Sequence, residues 1–479
     1  RPTRQLSWEL SQHAGVFLGS GQYIEGLNLL TNLLTAGTAI SSKDANHPAL
    51  VPPSQHLALV ATLIVHPSLN TKSKFPDSIL ASNEALNYLR LVNQTAGPIN
   101  ARFADAFAFA TSDSPLRSGK WRNLTSPDST EDEKPIRSDL ANRSSVWNRA
   151  TDFWHVVGWA FNCSIKHKQR WDRWRQWLEL MLDIMEDDWT ACVNLQQQAV
   201  AERNVVGKDL LQQSIIMRYI TAGSGSSTSR RQKIIHAILA DGSPKSMNEF
   251  KEVFSNETTK RKRASPVRRI LEKDIHPFDL DLDDGEDEED DGEAGRRSAR
   301  HTAPTQKSSI VLLDGSSEDD EDDIETRSKS GADRLGGIDS VRLRERLLAL
   351  LVSVAEIDPQ SFTTRAALFE AFVEPLRELQ VASFAAFIAN SLLSPMTHVM
   401  FCCKFLLICL PISPPTYDIE PPTQSDLVDH FLALPANSGS CVENAKVSIL
   451  LQSILQHMLP ELKATKDFIE AVDVGVKAR

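Results

Sequence analysis

The chain has 479 residues, 41% of them apolar, and a formal net charge of -11, enough length for two or three domains with sizeable cores. Of its 63 acids, 19 fall between Asp279 and Glu325 against four bases, which leaves 48 bases and 44 acids elsewhere. The remainder is nearly neutral, and that balance argues against a chain-wide cationic surface for nucleic acid. Six cysteines, none in a C-x-x-C pair and none with paired histidines, are too sparse for a disulfide scaffold and do not read as a zinc site. Buried, reduced thiols of a nuclear or cytosolic protein account for them.

Residues 1–112 read as short amphipathic helices joined by Gly/Pro turns. Trp8, Ala14, Phe17 and Leu18 lead through Gly21 to Tyr23, Gly26, Leu27, Leu30 and Leu33, at the three- and four-residue spacing of helices. The run Ala14-x-x-Phe17-Leu18-x-x-Gly21-x-Tyr23-x-x-Gly26-x-x-x-Leu30 resembles one tetratricopeptide-type helix pair. No second copy follows at the roughly 34-residue period of such repeats, so α-hairpins of a generic kind are expected. Further helices are predicted near Gln55–Val65, Ser78–Leu91 and Ala101–Ala110, and residues 113–137, rich in Ser, Pro, Asp and Lys, read as a loop.

Residues 138–254 predict a Trp-rich helical domain continuous with the first, since seven of the nine tryptophans lie between Trp147 and Trp189. Trp147, Trp154, Val157 and Phe161 share one seam; Trp171, Trp174, Leu178, Met181, Met185 and Trp189 share a second. Trp177 leaves that stripe, which suggests a cap on a neighbouring helix. Rings of this size bury of order 150–250 Å² each, so the pair should form the centre of the N-terminal fold. Helices around Leu195–Arg203, Asp209–Ile220, Arg231–Ala240 and Met247–Phe254 complete it.

Residues 255–340 read as a disordered acidic linker. Helicity returns over 341–475 in a smaller C-terminal region, first at Val341–Ile357 with Leu343, Leu347, Leu350, Leu351 and Val354 on one stripe. Thr363–Leu376, Leu379–Leu393, Asp426–Leu434, Val442–Leu459 and Ala464–Val472 follow. An anomalous apolar insert occupies 397–413, interrupted by Lys404 and holding three cysteines. It is too short for a membrane span, which needs about 20 residues. Two readings fit it: a buried helix, or a translated intron joining Ser394–His398 to Pro414–Asp418. Alternating β-branched runs are scarce, so the fold class is all-α, with a helical-repeat-like (α-hairpin array) N-terminal domain.

The linker holds the candidate sites. Lys260, Arg261, Lys262 and Arg263 form a basic cluster that import receptors would hold in acidic, Trp-lined pockets. Ser265-Pro-Val-Arg268 matches a proline-directed kinase site, whose phosphate would oppose import-receptor contact. Ile310, Val311, Leu312, Leu313 and Asp314, followed by the acidic run Glu318–Asp323, resemble a SUMO-interacting motif. A short apolar run of this kind adds a strand to an exposed sheet edge, and the flanking acids meet a basic rim. Ser316 and Ser317 each precede an acid by three residues, as acid-directed kinases require. The run Asp279–Glu293, eleven acids without a base, reads as a solvating spacer.

Lys166–Arg175 interleaves bases with tryptophans, but helical spacing turns Trp171 and Trp174 inward and Arg170, Arg173 and Arg175 to a solvated face. Asp183–Asp188 places anions beyond the cations on that helix, against its macrodipole, so partners on neighbouring helices are expected. No glycine-rich phosphate loop occurs, and His155 and Cys163 lack a third partner. The sequence points to no catalytic, cofactor-binding or metal-binding residue and to no membrane contact. The expectation is a non-enzymatic nuclear scaffold whose linker recruits SUMO-modified partners in chromosome maintenance or transcription, with an import receptor as a second partner. The alternative is a nucleic-acid-associated chromatin protein using the basic Trp-rich helices.

Overall fold

The computed structural model describes residues 1–36, 47–73, 77–110, 136–202, 210–223, 225–259, 330–411 and 417–479. Within them the chain is mostly helical, as its composition and periodicity predict. The strands among the described residues are Thr3–Gln5 (β1) and Ala49–Val51 (β2), a parallel pair that ties down the N-terminus.

Helices α1 (Trp8–Gly19) and α2 (Tyr23–Thr35) form a hairpin. Its turn is made at Gly21, whose φ of 79° lies in the left-handed region that favours glycine. Behind it stand α3 (Ser54–Val65), buried almost throughout, and α4 (Asp77–Ala96). Single turns α5 (Phe103–Ala106) and α6 (Val146–Arg149) lead to α7 (Phe153–Lys166) and α8 (Lys168–Ala201). Where the sequence predicts two helices ending near residues 189 and 203, α8 runs 34 residues unbroken. Neither Gly nor Pro falls between Trp189 and Ala201, so nothing stops the first helix from propagating into the second.

α8 is the axle of the unit, with α3, α4 and α7 packed along it. Trp159, Trp174 and Trp177 are all completely buried. Trp177 lies 5.9 Å from the rings of both Trp147 and Trp174, so off its own stripe it packs against the neighbouring α6 within the core. A helix enclosed on several sides buries more than one stripe. Arg170 is likewise buried, and not on a solvated face.

α9 (Ile215–Thr221), α10 (Ser227–Ile238) and α11 (Pro244–Glu249) close the N-terminal half. The short α12 (Gly331–Arg334) precedes α13 (Ile338–Ile357), which packs on α8, α10 and α14 (Arg365–Glu378). Residues 1–259 and 329–479 therefore make one compact unit. α15 (Val381–Ala389), α16 (Pro395–Cys409), α17 (Gln424–Leu427), a π turn at Val428–Leu432, α18 (Cys441–Met458) and α19 (Lys466–Ala478) complete it. The apolar insert forms most of α16: Ser394 caps it by accepting from the Thr397 N–H, Pro395 opens it, and α18 covers it. Lys404, the charge within the run, reaches Asp418 at 3.3 Å.

Candidate functional site

The functional residues predicted from sequence, Lys260–Arg263, Ser265, Ile310–Asp314, Ser316 and Ser317, lie outside the described residues. What the structure does show is how the chain is held on either side of them. Glu257, its side chain fully buried, accepts from Arg170 Nε at 2.6 Å and lies 2.5 Å from Arg170 Nη2. The Trp174 indole donates to the same carboxylate at 3.3 Å, and the N–H groups of Val253 and Phe254 donate at 3.2 Å each. Arg170 Nη2 also donates to the Val65 carbonyl at 2.7 Å. A basic residue that spacing placed on the outside thus pins residues 253–257 to the middle of the core.

The second anchor is Arg344 on α13, completely buried with its guanidinium 4.0 Å from the centroid of the Phe161 ring. It donates to the carbonyls of Ile238, of Ala240 at 2.8 Å and of Leu335 at 3.4 Å. Burial lowers its pKa to about 9, with the Asp241 charge opposing. Gly336 completes the junction. At φ 91° it approaches Ser164 so closely that a Cβ would fall 1.9 Å from the hydroxyl.

Arg344 is followed by Glu345 and Arg346, and the three side chains take three directions. Arg346 crosses to α8, donating to Asp183 and Glu186 at 2.7 Å. These are the neighbouring-helix partners that the acidic run called for, although α8 extends well past them and places the run in mid-helix. Glu345 is 1% exposed, and neither carboxyl oxygen makes a hydrogen bond of full geometry among the described residues. Burial pushes its pKa up to about 8, the Leu392 N–H acting against that shift. Arg170, Arg344 and Glu345 were missed by sequence reasoning. Their only sequence signal is a charge interrupting an apolar stripe.

Other residues of catalytic type form no assembled catalytic set among the described residues. His398 Nε2 lies 2.8 Å from Ser453 Oγ and 3.3 Å from Cys402 Sγ, but burial lowers the imidazole to about 4 and raises the thiol well above its ordinary range. A dry pair held in its neutral forms supplies no thiolate nucleophile. Cys163 is buried, and His155 Nε2 lies 2.9 Å from the Lys251 carbonyl. Among the described residues no group of His, Cys, Asp and Glu could hold a metal ion, and no helix is long and apolar enough to cross a membrane. A cleft of about 700 Å³ opens between α10–α11 and α14, with Arg231 and Lys245 on one wall and Glu370, Glu374 and Glu378 on the other.

These features define a helical protein with buried charge anchors and no assembled catalytic centre among the described residues. Compared with known proteins, the chain matches no family model, no curated relative and no solved structure.

Proposed function

We propose that this protein is a non-enzymatic nuclear scaffold whose segment between residues 260 and 329, the inner part of the linker expected over 255–340, recruits SUMO-modified partners. The observation that carries the reading is Ile310-Val-Leu-Leu313-Asp314 with six acids at 318–323, an apolar tetrad within the stretch that holds the chain's negative excess. Such a run would add a strand to the edge of SUMO, and the acids would set its orientation and association rate. Lys260–Arg263 would serve import, Ser265 would modulate it, and phosphate on Ser316 or Ser317 would extend the acidic flank. In this reading residues 1–112 are a short array of α-hairpins, supported by the packing of α1 on α2, α2 on α4 and α3 on α4. The burial of Trp171 and Trp174 and the engagement of Arg170 with Glu257 weigh against a stacking platform for nucleic acid. Retention on SUMO-coated beads tests the proposal. Changing Ile310, Val311, Leu312 and Leu313 to Ala should abolish it, and undiminished binding would refute it.

A further inference from the structure

We propose that Glu345 is a pH-sensitive latch: protonated, it seats the layer made of α15, residues 390–394 and α16 against α13, and its ionisation releases that layer. The geometry is that of a carboxyl closed off from both water and cations. Glu345 is 1% exposed, and neither oxygen makes a hydrogen bond of full geometry among the described residues, the Leu392 N–H giving only a weaker contact. A carboxylate in that position would be a desolvated, uncompensated charge, which proteins avoid by keeping the proton.

The charges around it are committed elsewhere. On α13 itself, Arg344 lies over Phe161 and Arg346 is paired with Asp183 and Glu186 of α8. α15 and residues 390–394 contain no titratable side chain. They offer Glu345 the Leu392 N–H, which acts against the rise in its pKa caused by burial. From α16 the Cys402 thiol senses it, and that thiol is held protonated by burial. His398 on the same helix is turned to Ser453 and His457 of α18, while Lys404 is bound to Asp418. On α14, Arg365 pairs with Glu356 and Arg377 with Glu443 of α18. From α12, Asp333 caps its own helix, and from α10, Lys233 and His236 pair with Asp152 and Glu249.

Opening the layer would bring the carboxyl to water, where it ionises in the ordinary glutamate range. Each opening then releases one proton, so the opening constant should grow tenfold per pH unit between that range and the much higher folded value. Hydrogen exchange of the full chain measures this, comparing the wild type with Glu345→Gln from pH about 5 to about 8. The wild-type to variant rate ratio should climb roughly tenfold per unit in α15 and α16 and stay level in α3 and α7. A ratio that stays constant with pH overturns the latch, as does one that climbs equally across the whole unit. Glu345→Asp keeps a titrating group at the site and should keep the slope. Loss of the slope in that variant also counts against the proposal.

Discussion

The Arg170–Glu257 pair allows the sharpest test of how the unit holds together. Arg170→Met keeps the aliphatic stem and removes the cation, leaving Glu257 fully buried beside Val253, Phe254 and Trp174. Removing one member of a buried ion pair costs about 3–5 kcal/mol, because the survivor is an uncompensated charge. Three N–H donors remain on the carboxylate, which places the cost at the lower end, about 3 kcal/mol. Glu257→Gln strands the guanidinium, which keeps the Val65 carbonyl, and should cost a similar amount. With both changes no charge is left buried, so the double variant should be more stable than the sum of the singles implies by about 2–3 kcal/mol. Urea unfolding followed by tryptophan fluorescence reads this directly, Trp174 being in contact with the pair. Single effects that add to within about 0.5 kcal/mol would refute the claim that the two charges depend on one another.

Asp188, which accepts from the Ile215 N–H at 2.7 Å, has its pKa raised by burial to about 6, with that hydrogen bond and Arg218 opposing. A folded value above the unfolded one means stability is lost as pH rises from the ordinary aspartate range to about 6 and stays lost above it. Asp188→Asn should remove that slope, up to about 3 kcal/mol over the window, in melting curves measured across it. Separately, fragments 1–259 and 330–479, co-expressed as two chains, should purify together, since α13 packs on α8 and α10 and α14 packs on α10. Independent elution on a sizing column would show that the two halves do not form one body.

Helical class and the Trp seams were legible because both are local: a stripe at 3.6-residue spacing declares its face without knowledge of what covers it. What covers it was not legible. Arg170 looked solvated because its partner, Glu257, is 87 residues away, and Arg344 went unnoticed because its acceptors are backbone carbonyls, which leave no trace in side-chain identity. Trp177 left its stripe for the related reason that α8 has neighbours on several sides. Helix ends were the other weak point. α15 stops at Ala389 rather than near Leu393, and the helix expected over Met247–Phe254 ends at Glu249. The signals read in 260–329 rest on composition and short motifs, which need no fold to be recognised.

The three consecutive charges of α13 make its rotational setting unforgiving. An α-helix turns about 100° per residue, so Arg344, Glu345 and Arg346 are aimed at Phe161, at the Leu392 segment and at α8 by their place in the count alone. One residue inserted ahead of them would carry the carboxyl toward Asp183 and Glu186 of α8 and swing the Arg344 guanidinium into the dry site beside Cys402. Each group would meet the environment that suits it least. Length can therefore vary before α12 far more readily than within α13, where a single added residue misdirects three contacts at once.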